Sequence, residues 1–159
     1  MPLPNFTGTL GIKRSAHLLR RAAFGGTKVN IDSFSTLTAQ VAVASLFNNS
    51  LPDPPLPVDP LTNNEWITTG ATSSGSEDSE LQEYFKGWFV GQMLGSGQAI
   101  NVKLSYQVRE KIVLFLHTHF TTKQSVVNNS RSLYFQNQLF RMYALDKDLD
   151  IDFNFKNLT

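Results

Sequence analysis

The stretch Ser105-Tyr-Gln-Val-Arg-Glu-Lys-Ile-Val-Leu-Phe-Leu-His-Thr-His-Phe120 decides the fold, because it predicts the most apolar helix of the chain. Its centre, Ile112 to Leu116, is apolar on every side, and helices of that kind are usually buried. Further helices are predicted over residues 15–24, 30–37, 39–48, about 77–94 and 132–145. We therefore expect a mainly α fold, an irregular multi-helix bundle.

Length and composition restrict the class of protein. The chain has 159 residues, 41% of them hydrophobic, and no Cys, so disulfides and Cys-based zinc sites are excluded. Its longest apolar run, Ile112 to Leu116, is far shorter than the roughly 20 residues that a transmembrane helix needs. The first residues, Met1 to Phe6, show no signal peptide. We expect a single helical domain over residues 1–159 without a transmembrane segment.

The charges are segregated along the chain. Residues 53–83 carry seven acidic and no basic side chains, whereas residues 1–52 and 84–131 are each predominantly basic. A nucleic-acid-binding protein normally has a basic face that no acidic segment compensates. We therefore expect no nucleic-acid partner.

Two parts of the chain lack helical periodicity. Residues 49–75 contain five of the seven prolines and a polar Ser/Thr/Gly stretch, which predicts a long surface loop or insertion. A protein-interaction role for that loop is one hypothesis for the function. Residues 98–104 and 149–155 alternate polar with apolar side chains, so each is a candidate short strand.

The pair His117 and His119 is the most evident candidate for chemistry, since imidazole is the commonest metal ligand and transfers protons near neutral pH. On a helix the two side chains point apart, so they can hold one divalent metal only if the helix ends or unwinds there. The helical wheel places His119 in the core and Glu110 beside His117. Glu110 and His117 are therefore the candidate catalytic pair, and His117 and His119 the candidate metal ligands.

Four arginines are candidates for anion binding or for a structural role, namely Arg20, Arg21, Arg109 and Arg141. Arg141 lies in an apolar, aromatic helix, and arginine is seldom buried without a partner. We expect Arg141 to bind either a helix C-terminus or an acid such as Glu110.

Three segments together resemble one bacterial family, the "domain of unknown function 1800" family. They are Ala16-His-Leu-Leu-Arg-Arg-Ala-Ala-Phe-Gly-Gly-Thr27, Arg109-Glu-Lys-Ile-Val-Leu-Phe-Leu-His-Thr-His-Phe-Thr-Thr122 and Leu133-Tyr-Phe-Gln-Asn-Gln-Leu-Phe-Arg-Met-Tyr-Ala-Leu145. Their order and approximate spacing resemble those of the family. The sequence departs from the family pattern at Leu116, where the family usually has Trp, and after Leu145, where Asp146-Lys-Asp replaces Gly-Asn-Phe.

The resemblance implies a mostly helical N-terminal portion of a longer protein that is envelope-associated or secreted, with another envelope protein as a partner. It implies no established reaction. Two readings of the function stay open beside the interaction loop: a helical module without a complete active site, and part of a hydrolase-like or metal-dependent enzyme. In the second reading, residues downstream of this chain complete a site on the His-x-His helix.

Overall fold

The computed structural model describes residues 6–47, 50–68, 78–120 and 122–144, and these ranges contain seven helices and no strand. Two isolated antiparallel bridges join Thr9 to Thr38 and Val58 to Glu65. The mainly α prediction is confirmed. The helices are α1 Gly11–Ala22, α2 Lys28–Ser35, α3 Ala39–Leu46, α4 Asp78–Met93, α5 Lys103–His119, α6 Gln124–Val127 and α7 Ser130–Ala144.

Side-chain caps set the starts of α2 and α3. The Thr27 hydroxyl accepts a hydrogen bond from the Asn30 backbone N–H, and Thr38 accepts one from Val41 in the same way. The prediction that a helix begins at Ser15 is wrong, because α1 begins four residues earlier, at Gly11. Ser15 instead lies inside α1 and is fully buried.

Helix α5 passes through the middle of the fold and takes part in two of its apolar clusters. Val108 belongs to the cluster that α1, α2 and α3 form, whereas Val113 and Leu116 pack with Phe140 and Ala144 of α7. A third cluster joins α4 and α7 around the side chain of Trp66. Helix α5 thus connects two of the three clusters.

The predicted loop at 49–75 has no helix or strand over its described part, residues 50–68, yet it is not simply a surface feature. Trp66 is 1% exposed and Ile67 is also buried, both against α4 and α7. The Trp66 carbonyl accepts a hydrogen bond from Arg131 Nε at 2.8 Å, and the Pro55 carbonyl accepts one from Trp88 Nε1 at 2.7 Å. This part of the loop therefore completes the core.

The prediction of a short strand at 98–104 is wrong. The Ala99 carbonyl accepts hydrogen bonds from the backbone N–H groups of Val102 and Lys103, so the chain turns there and enters α5. The other candidate strand, 149–155, lies outside the described residues. The connection between α5 and α7 contains the short helix α6. Across the described ranges, no helix combines the length and the apolar character that crossing a bilayer requires.

Candidate functional site: a buried charge network on α5

Three consecutive residues of α5 contact three different parts of the fold. Successive residues of a helix point about 100° apart, so Arg109, Glu110 and Lys111 face different neighbours. Arg109 and Glu110 are almost completely buried, at 1% and 0% exposed. We call Arg109, Glu110, Lys111 and Arg141 the α5 hub.

Glu110 forms the centre of the α5 hub. Arg141 of α7 donates from Nε to Glu110 Oε1 at 2.9 Å and from Nη2 to Oε2 at 2.6 Å. This is the bidentate arrangement in which a guanidinium matches both oxygens of a carboxylate. The expected contact between Arg141 and Glu110 is therefore present. Arg141 Nη1 also donates to the Gln138 side chain at 3.2 Å.

Arg109 joins the same carboxylate to the loop. Its Nε donates to Glu110 Oε1 at 3.1 Å, its Nη2 donates to the Pro52 carbonyl at 3.0 Å, and its guanidinium lies 4.5 Å from the centre of the Tyr106 ring. Within the described part of the chain, Arg109 Nη1 is buried without a hydrogen-bond partner. The two guanidinium groups and the one carboxylate give this cluster an excess of positive charge.

Tyr106 extends the network toward α4. Its hydroxyl donates to Gln92 Oε1 at 2.5 Å, and its side chain is fully buried. Burial, followed by the negative charge of Glu110, raises the pKa of Tyr106 to about 12. The phenol therefore stays protonated at neutral pH and acts as a hydrogen-bond donor.

Lys111 binds the C-terminal end of α1. Its Nζ donates to the Arg20 carbonyl at 2.8 Å and to the Ala23 carbonyl, and it lies 5.5 Å from the centre of the Phe24 ring. A cation at a helix C-terminus satisfies free carbonyls and interacts favourably with the helix dipole. Burial, and then the positive charge of Arg21, lower the pKa of Lys111. Lys111 thus caps a helix distant in sequence.

His117 is half-buried between aromatic rings, not on an open face. Its ring centre lies 5.3 Å from that of Phe89 and 4.8 Å from that of Phe140. Burial, and then the charge of Arg141, lower the pKa of His117 to about 4, so the imidazole is neutral at pH 7. Asn137 Nδ2 lies 3.0 Å from His117 Nε2. The neutral imidazole and the Asn137 amide therefore share a hydrogen bond at Nε2.

The prediction that His119 enters the core is wrong. His119 is exposed in the last turn of α5, with Nδ1 2.9 Å from the Phe115 carbonyl and its ring centre 3.9 Å from that of Phe115, the two planes tilted by 35°. The helix continues through both histidines, and His117 faces α7 while His119 faces solvent. In the described ranges, no three His, Asp or Glu side chains come together as metal ligands.

The remaining candidates, Arg20 and Arg21, are exposed in the last turn of α1. Arg20 Nε donates to the Ala16 carbonyl at 3.3 Å, a contact within its own helix. Sequence reasoning missed the roles of Lys111 and Asn137. For Lys111 the one available signal is its place directly after Arg109 and Glu110 in the quoted motif.

The α5 hub contacts all three of the segments that carry the family resemblance. Arg109, Glu110 and Lys111 belong to the second, Ala23 to the first and Arg141 to the third. No curated protein and no solved structure matches this chain. The family model described as "Protein of unknown function (DUF1800)" matches residues 17–159, which is most of the chain. The chain therefore belongs to the DUF1800 family.

Proposed function

We propose that this chain is a helical module in which the α5 hub acts as a scaffold and not as a catalytic centre. The state of Glu110 carries the proposal, because both carboxylate oxygens accept hydrogen bonds from Arg141, and Oε1 accepts a further one from Arg109. A general acid or base must come within hydrogen-bond reach of the substrate proton that it transfers. A fully buried carboxylate held by two guanidinium groups supports a structural role.

The second candidate is part of an enzyme that downstream residues complete. The observation in its favour is His117, since a neutral imidazole is the form that accepts a proton or binds a metal. Against it, Asn137 occupies His117 Nε2, and His119 lies on another face. An interaction role for the 49–75 loop has less support, because Trp66 and Ile67 are buried in the core.

The proposal also covers the cellular location of the chain and the longer protein to which it belongs. We infer a larger bacterial protein, envelope-associated or secreted, with this chain as its N-terminal portion and another envelope protein as a partner. These statements rest on the family resemblance alone. Fractionation of cells that express the tagged full-length protein tests them: recovery in the envelope or the medium supports the setting, and recovery in the cytoplasm contradicts it.

The scaffold role is tested by comparing Glu110→Gln with His117→Gln. We expect Glu110→Gln to lower the free energy of unfolding by about 3–5 kcal/mol, because it leaves two buried cations without a carboxylate. Glu83→Gln, which breaks the exposed ion pair with Lys86, is the matched control and should cost at most about 1 kcal/mol. We expect metal content, measured by elemental analysis, to be the same in His117→Gln and in the unmodified protein.

Two results would contradict the scaffold role. The first is a Glu110→Gln protein as stable as the Glu83→Gln control. The second is stoichiometric metal that is lost in a folded His117→Gln protein, which would favour the enzyme instead.

A further inference from the structure

Helix α1 presents an exposed face that is basic along most of its length. Successive residues of a helix lie about 100° apart, so five of its side chains fall within an arc of about 120°. All five are exposed, namely Lys13, Arg14, His17, Arg20 and Arg21. The opposite side of α1, which includes Ser15 and Leu19, is buried against the rest of the fold. We call the five exposed residues the α1 basic face.

No acidic side chain in the described ranges forms an ion pair with the α1 basic face. Helix α1 itself contains no Asp or Glu. The acidic segment 53–83 contacts other parts of the fold: Asp59 accepts hydrogen bonds within its own loop, and Asp78 accepts them from Ser130 at the start of α7. The positive charge of α1 is therefore available to an anionic partner.

The α1 basic face is a row of cations on the outer side of a helix, not a pocket. It extends about 12 Å from Lys13 to Arg21, at 1.5 Å per residue. A site for one small anion needs donors that converge on a point, whereas a row of this kind matches phosphates that are spread over a surface. Two such surfaces are the anionic headgroups of a bilayer and the backbone of a nucleic acid.

Exposed apolar side chains at both ends of the α1 basic face favour the bilayer. At the first end, Ile12 is 63% exposed, and the Arg14 guanidinium lies 4.4 Å from the centre of the partly exposed Phe6 ring. At the other end, the partly exposed Phe24 follows α1 by two residues. Apolar side chains beside Lys and Arg are typical of helices that bind the bilayer interface, where those side chains leave water. Contacts with nucleic-acid phosphates come from polar and cationic groups and give Ile12 no apolar partner.

We propose that the α1 basic face binds the surface of an anionic phospholipid bilayer. Its cations contact the headgroup phosphates, and the side chains of Phe6, Ile12 and Phe24 enter the interface beside them. Leu19 and Ala23 stay packed in the core with Phe34 of α2, so binding requires no unfolding of α1. The proposal concerns α1 alone and depends neither on the α5 hub nor on the cellular location of the chain.

The first test is co-sedimentation of the full chain with vesicles of equal parts phosphatidylcholine and phosphatidylglycerol. We expect binding at about 0.05 M salt, release at about 0.5 M salt and no binding to phosphatidylcholine alone. The double variant Lys13→Gln, Arg21→Gln should bind roughly thirtyfold more weakly, because each cation near an anionic surface contributes roughly fivefold. The double variant Lys86→Gln, Lys123→Gln is the matched control, since it removes the same charge from exposed positions outside α1, and it should bind nearly as the unmodified protein does.

The second test separates a bilayer from other polyanions. Ile12→Gln keeps the charge of α1 and should weaken binding to the same vesicles about fivefold, because it removes an apolar side chain from the interface. Random-sequence duplex DNA at the same phosphate concentration should bind more weakly than the vesicles. The salt dependence is measured on the unmodified protein, so it does not rely on the folding of any variant.

Four results would overturn the proposal. They are no binding of the unmodified protein to the anionic vesicles, equal binding by the two double variants, unchanged binding by Ile12→Gln, and tighter binding to the duplex DNA than to the vesicles.

Discussion

Arg141 and Glu110 form a two-point ion pair across 31 residues of sequence, with N–O distances of 2.9 Å and 2.6 Å. Both residues are buried, one on α7 and the other on α5. Because a bidentate pair fixes orientation as well as distance, it sets how the two helices face each other. Arg109 donates a further hydrogen bond to the same carboxylate. Glu110 therefore has two cationic partners, whereas Arg141 has one carboxylate.

The first prediction concerns the different numbers of charged partners that Glu110 and Arg141 have. Arg141→Met leaves Glu110 paired with Arg109, whereas Glu110→Gln leaves two buried cations together. We expect Arg141→Met to lower the free energy of unfolding by about 1.5–3 kcal/mol, less than the loss from Glu110→Gln. Urea denaturation at neutral pH measures both, and Lys86→Met on the exposed pair with Glu83 is the control. The reverse order of the two losses would show that Arg109 does not compensate Glu110.

A second prediction concerns the capping of α1. Lys111→Met removes the donor to the carbonyls of Arg20 and Ala23 but keeps the apolar stem of the side chain. We expect the free energy of unfolding to fall by about 1–3 kcal/mol, with faster amide hydrogen exchange in the last turn of α1. Lys13→Met, on the exposed side of α1, should change neither quantity. Unchanged exchange in α1 after Lys111→Met would contradict the capping role.

The third prediction is a pH dependence that comes from His117. Burial, and then the charge of Arg141, lower its pKa in the folded protein to about 4 from the usual 6.5, so protonation favours the unfolded chain. The stabilisation is complete above pH 6.5 and is lost as the pH falls from there toward 4. The free energy of unfolding should therefore decrease as the pH is lowered from 6.5 to 4.

His117→Gln provides the comparison for that measurement. Glutamine offers an acceptor for the Asn137 amide and does not titrate, so the part of the pH dependence between 6.5 and 4 that belongs to His117 should disappear. An identical pH profile in the two proteins would mean that His117 is not buried as the structure has it.

The fourth prediction compares a buried with an exposed side chain of the loop over residues 50–68. Trp66→Ala should lower the free energy of unfolding by about 3–5 kcal/mol. The indole ring packs against Leu81, Phe85 and Tyr134, so its removal leaves a cavity among them. Leu61→Ala, at an 86% exposed site of the same loop, should change stability by no more than about 0.5 kcal/mol. Thermal and urea denaturation provide the measurement. Equal, small effects would restore the interpretation of this segment as a surface loop.

The helices could be predicted because their signals are local. The apolar run from Ile112 to Leu116 and the arrangement of caps and glycines depend on neighbours within a few residues. The pairing of Arg141 with Glu110 was also within reach, since a buried arginine demands an acid and few acids lie in apolar surroundings. The pairing follows from the high free-energy cost of burying a charge without an oppositely charged partner.

The orientation of the two histidines could not be predicted by the same means. A helical wheel ranks faces by their average hydrophobicity, and it placed His119 with Ile112 and Leu116. The decisive contacts come from other helices, since Phe89 of α4 and Phe140 of α7 enclose His117. Trp66 escaped prediction for a related reason: a loop has no periodicity to show which of its side chains is buried.

The order in which the ribosome makes the α5 hub has a consequence for folding in the cell. Lys111 can bind the carbonyls of Arg20 and Ala23 as soon as α5 emerges, because α1 is already synthesised. Glu110 must wait for Arg141, 31 residues later. At roughly 5–20 residues per second, that interval lasts about 2–6 s. During it Val113 and Leu116 lack the α7 side chains that cover them in the fold, and such transiently exposed apolar surface makes a nascent chain prone to aggregate.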